Sequence, residues 1–123
     1  MFAAREIELA KQMHESGLSW EPAAGHYVWD LHDNVERSSP FQEGVYFIIN
    51  HAYFMNLLGG VDAFREQMVW LPTWEQARVI AGSLGMDGGK LAAFLAEHDA
   101  IQEGREREHL YRWIVAALSS SQP

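Results

Sequence analysis

His26, Asp30, His32 and Asp33 place imidazole and carboxylate groups along one short stretch of chain. Both group types ligate divalent metals and move protons as general acids and bases. Residues 26–32 read as a strand, in which even positions share a face. His26 and His32 then lie ~20 Å apart, too far to hold one ion, whereas Asp30 and His32 lie ~7 Å apart and within reach of a shared one. A third ligand is needed, and His51, at the end of the next strand, is the candidate, with Asp33 or His26 in support. An Asp30, His32, His51 site would carry metal-assisted hydrolysis or proton transfer, with a divalent metal as its cofactor. No zinc-type spacing such as H-E-x-x-H accompanies these residues. They fit better a wet strand face running into a turn, with Asp30 or Asp33 as its cap.

Other chemistry-bearing residues have simpler readings. His51 fits the first turn of a helix. His98 sits where a helix C-terminus favours a cation, and Asp99 where the next helix needs an N-cap. Gly82–Gly85 and Asp87-Gly88-Gly89-Lys90 lack the Gly-Lys-Ser/Thr ending of a phosphate loop. Neither serine cluster, 38–39 or 119–121, sits in a G-x-S-x-G elbow. The chain has no cysteine, which excludes disulfides, thiol nucleophiles and Cys-based metal sites. No catalytic residue is assigned, and the balance leans away from an enzyme.

Aromatic side chains are dense. Five tryptophans in 123 residues exceed what a core of this size seals easily. Trp20, Trp70 and Trp74 are the candidates to border a groove or a protein interface. If all three were fully buried, that expectation would fail.

These residues need elements to position them. The pattern predicts an α+β fold: a small antiparallel sheet of two to three strands packed against about five helices, with a helix-rich C-terminal half. Residues 2–16 show a helical apolar stripe stopped by Gly17. Residues 26–32 and 44–50 are the strands, the first with one wet face and the second more deeply buried. Residues 51–58 read as a helix with Asn50 as N-cap and Gly59-Gly60 as the stop, although 44–58 also fits a single helix. A short helix over 61–68 leads to an extended connection that ends at Pro72. Thr73-Trp74-Glu75-Gln76 spells a capping box for a helix to about Leu84. Asp87 opens another helix to Glu97, and a last one runs from about Asp99 to Ser119. Its charged first half, 102–109, is expected to project into solvent and is the basis for a possible homodimer. Residues 33–40 form a polar loop, and 119–123 a frayed tail.

Length and composition favour one domain over 1–123. The net charge of −8 and pI near 5.1 disfavour nucleic acid, because Glu103, Glu106 and Glu108 neutralise the only arginine concentration, Arg105, Arg107 and Arg112. The most apolar stretch, 45–60, is too short and too polar to span a bilayer. Residues 1–6 lack the basic start of a signal peptide, so a cytoplasmic location is expected. The leading functional expectation is a non-enzymatic protein-interaction or regulatory module of a bacterial-type system, acting on a protein partner or on itself. The metal-dependent alternative uses Asp30, His32 and His51. A third expectation is a small-ligand carrier with an aromatic-lined pocket.

Overall fold

The structure, a computed structural model, describes residues 2–35, 39 and 41–120. In chain order these form α1 (Ala4–Glu15), β1 (Tyr27–Asp30), β2 (Val45–Phe47), α2 (His51–Leu58), α3 (Val61–Gln67), β3 (Met68–Leu71), α4 (Trp74–Ser83), α5 (Gly88–Glu97), α6 (Ala100–Glu103) and α7 (Glu106–Ser120). The α+β expectation holds, with a three-stranded antiparallel sheet. The chain divides into two compact units. One comprises residues 1–2 and 19–71, the other 3–18 and 72–123.

The first unit is the sheet with α2 and α3. β1 is the middle strand, in the order β2-β1-β3. Tyr27 stands opposite Phe47 and Leu71, Val28 opposite Tyr46 and Trp70, and Trp29 opposite Val45 and Val69. The third strand occupies what the sequence presents as a plain extended connection. Four apolar residues show too little alternation to declare a strand, and Pro72, with no N–H to give, ends it.

The expected wet face of β1 is absent. Its even side holds Val28, Ile48 and Met68, which bury against Trp20, Met55 and Phe64 as the core of this unit. On its odd side the Tyr27 ring meets Phe2, Phe41 and Phe47 at 5.5, 6.2 and 4.7 Å, while Val45, Val69 and Leu71 are fully buried. A strand with neighbours on both edges and apolar residues on both faces reads as alternating only because His26, Asp30 and His32 interrupt it.

The second unit is helical, and α7 packs against both α1 and α4. Leu110, Tyr111 and Ile114 of α7 are fully buried. So are Met13 of α1 and Ala77 of α4. The Tyr111 hydroxyl donates to the Pro72 carbonyl, and burial pushes its pKa far above the ordinary phenol value. The Thr73 box forms as its sequence spells it: Thr73 Oγ1 accepts the Gln76 amide at 3.2 Å, and Gln76 Oε1 accepts the Thr73 amide at 2.9 Å. Asp87 caps α5 through the Lys90 amide at 2.8 Å.

The last helix departs from expectation. It is two pieces, broken at Gly104, whose φ of 67° is left-handed. Asp99 precedes α6 in the left-handed region and makes no side-chain cap. The charged run does not project. Arg107 pairs with the buried Glu6, which also accepts the Ala3 amide at 2.7 Å. Glu108 is buried and takes Arg105 and Arg112. Its hydrogen bond from Arg105 holds its pKa below the usual carboxylate value. The projecting segment that would have supported a homodimer is therefore not there. Ser119 and Ser120 continue α7, and the rest of the expected tail, 121–123, lies outside the described residues, as do 36–38 and 40 of the polar loop.

His109 is also buried. It stacks on His98 with ring centroids 5.1 Å apart, and its Nε2 has no hydrogen-bond partner among the described residues. Burial lowers its pKa, and Arg105, His98 and Arg112 act in the same direction. A folded-state pKa below the unfolded one means that the unfolded chain takes up the proton first as pH falls, so stability drops below about pH 6.5. His26 in the first unit, whose pKa burial also lowers, adds to the same slope. The melting temperature should therefore fall between about pH 7.5 and 5.5, and His109→Gln should flatten the decline without removing it. An unchanged slope in that variant would show that His109 is not the buried neutral base described.

Candidate protein interface

Helix α2 is short because both ends are chemically fixed. Asn50 Oδ1 accepts the Tyr53 amide at 3.0 Å. Gly59, with φ 93°, ends the helix, and the Gly60 amide returns to the Met55 carbonyl at 2.7 Å. Residues 44–58 are thus strand then helix. The phase of the helix is set by Met55, buried in the core, and by Phe54 and Leu58, which pack against that core. The Phe54 ring meets that of Phe64 at 6.2 Å.

At ~100° per residue, Tyr53 and Leu57 must then face away from that core. Tyr53 is 50% exposed and Leu57 47%. Ile49, just before the cap, is 78% exposed. Ala52 and Asn56 are exposed beside them. The helix contains no Asp, Glu, Lys or Arg. The outward stripe is therefore apolar and uncharged. Such stripes mark interaction sites more often than scattered single residues do.

The sequence-predicted metal set does not assemble. Asp30 is buried, and its carboxylate accepts the amides of Asn34 and Val35 at 3.0 and 2.7 Å. It is a turn cap, the simpler of its two readings. His32 is exposed in that turn, next to Asp33 at φ 54°. His51 lies at the other end of the ribbon, because antiparallel β2 starts beside Asp30 and ends beside His26: the Asp30 amide meets the Gly44 carbonyl, and the Ile48 amide meets the His26 carbonyl. Among the described residues no three His, Asp or Glu side chains converge to hold a metal. Asp30, His32 and His51 therefore have no shared geometry for a divalent ion. An open cleft of about 880 Å³ does lie beside Asp30, Asp33, Glu43 and Tyr46. Burial and these three carboxylates raise the Tyr46 phenol pKa, which keeps it a neutral donor.

The tryptophans separate. Trp20 is buried in the core of its unit. It stacks on Trp70 at 5.6 Å, and Trp70 stacks on His26 at 4.8 Å. Trp70 is half-buried. Trp70 Nε1 and His26 Nδ1 have no hydrogen-bond partner among the described residues. Trp74, in the other unit, is half-buried and lines a cavity of about 570 Å³ with Leu95, Ile101, Arg107 and Glu6. The residues that sequence reading passed over are Ile49, Tyr53 and Leu57. The available signal was the density of apolar residues over 45–58, more than a helix of two turns can hide on one side.

Comparison with known protein families, curated proteins and solved structures finds no match. Among the described residues, no single helix is long and apolar enough to cross a membrane.

The exposure pattern has a direct consequence for stability. Tyr53→Ser and Leu57→Ser should each change unfolding free energy by no more than about 0.5 kcal/mol, as surface substitutions do. Met55→Ala, on the opposite side of the same helix, should cost about 2–5 kcal/mol. Denaturant unfolding of the three variants checks this, and a large loss in either serine variant would show that the stripe is packed against something.

Proposed function

We propose that this protein is a non-enzymatic interaction module that docks a partner protein on the outward face of α2. The observation that carries the reading is the exposure of Tyr53 and Leu57 on one uncharged face of α2, with Ile49 exposed just before its N-cap. Burying what these side chains still expose would contribute about 1 kcal/mol each for Tyr53 and Leu57 and somewhat more for Ile49, before ordering costs. Tyrosine is also among the residues that most often dominate such interfaces. The titratable groups support a binding role rather than catalysis. Asp30, Glu6 and Glu108 are each held in structural hydrogen bonds or ion pairs.

A small-ligand reading attaches to the Trp74 cavity, whose volume falls in the usual range for such sites. Most of its charged lining is already internally paired, Arg107 with Glu6 and Arg105 with Glu108, which leaves Glu106. The docking reading is therefore the stronger.

A photo-crosslinking residue at position 57 tests it inside the producing cell. The expected result is a discrete adduct between this chain and a second protein. The same residue at Glu97, exposed in the other unit, should give no such band. Equal, diffuse labelling at both positions would overturn the reading.

A further inference from the structure

We infer that the partner segment received by α2 is a basic amphipathic helix, an inference that rests on the docking reading above. Its apolar side is dictated by Ile49, Tyr53 and Leu57. Its charge is dictated by what surrounds them. Residues 19–71 carry seven acidic side chains (Glu21, Asp30, Asp33, Glu36, Glu43, Asp62, Glu66), two arginines (Arg37, Arg65) and no lysine, so this unit holds −5 of the chain's −8. Arg65 is already taken: it pairs with Asp62 at 2.8 Å and Glu21 at 3.0 Å, and its remaining reach goes to the Trp20 carbonyl at 3.2 Å.

Helix α3 packs beside α2 and belongs to the same acidic unit. It exposes Asp62 and Glu66, and Glu66 has no cationic partner among the described residues. An uncharged helix face on a unit of net charge −5 is the complement of a segment that repeats apolar residues at i, i+3 or i+4 and carries Lys or Arg on its other positions. Such a segment gains packing from the stripe and steering from the field of the whole unit. An acidic segment would meet the same stripe and be repelled by the net charge of the unit. A second copy of this chain would bring another −5 unit to the contact.

The test uses two fluorescently labelled helical peptides of equal length, one of Leu and Lys and one of Leu and Glu, each with the same amphipathic spacing. They are titrated by anisotropy into the full chain and into Tyr53→Ser/Leu57→Ser and Asp62→Lys/Glu66→Lys variants, each first shown by circular dichroism to keep the wild-type fold. The expected result is binding of the Leu/Lys peptide that weakens about tenfold or more when the two apolar anchors are removed. It should also weaken several-fold in the charge-reversed variant and at high salt, with the Leu/Glu peptide binding far less. Tighter binding of the Leu/Glu peptide, or no effect of charge reversal, would overturn the inference while leaving the docking face in place. So would a sedimentation mass of two chains that the Tyr53/Leu57 double variant returns to one. Identical Leu/Lys binding by wild type and the double variant would overturn both the inference and the docking reading.

Discussion

A helix of two turns packed along one side can hide only one stripe of side chains, and that constraint fixes what α2 leaves exposed. Its length is set by the Asn50 cap and the Gly59 stop, and its rotation by Met55 in the core. With length and rotation fixed, Tyr53 and Leu57 cannot be brought inside by any small adjustment. Turning the helix to cover them would expose Met55 and release the contacts of Phe54 and Leu58. The apolar stripe is therefore a consequence of satisfying the core. Exposed apolar stripes of this kind mark interaction sites more often than scattered single residues do.

The same economy explains why the residues with the most chemical potential do so little chemistry here. β1 has a neighbour on each edge and apolar residues on each face, so any polar group it carries must be satisfied locally. Asp30 meets that demand by accepting two amides of the turn that follows it. His26 meets it only in part: its ring lies in a stack with Trp70 and Trp20, and burial favours its neutral form. In the helical unit, the buried Glu6 and Glu108 are matched by arginines that stay partly exposed. Replacing one member of such a pair leaves a buried charge unmatched, so the network holds residues in place more than it adds net stability.

Local signals were legible in the sequence. The Thr73 capping box, the Asp87 cap, the Asn50 cap and the Gly17 and Gly59 stops all follow from rules that act within four residues. The two strands were visible as aromatic and β-branched runs, although each is shorter than its run. What the sequence hid depends on distant partners. β3 shows itself only through its pairing with β1. The burial of the even face of β1 depends on α2 and α3 lying over it. The break at Gly104 could have been suspected from the glycine alone, but the alternating charges around it read as an ordinary wet helix face. Arg105 and Arg112 do pair locally, but the partner of Arg107, Glu6, lies about a hundred positions away. The metal grouping failed for a related reason: antiparallel pairing puts the end of one strand beside the start of the next, so His51 and Asp30 separate along the ribbon. The exposure of Ile49, Tyr53 and Leu57 is hidden in the sequence because an apolar run is first credited to the core.

Hydroxyl-radical footprinting of the purified chain, at concentrations where it sediments as a single copy, addresses the central claim most directly. Normalised to intrinsic reactivity, Ile49, Tyr53 and Leu57 should label rapidly, and Phe54 and Leu58 should be protected on the same short helix. Equal protection along both stripes of α2 would contradict an open docking face.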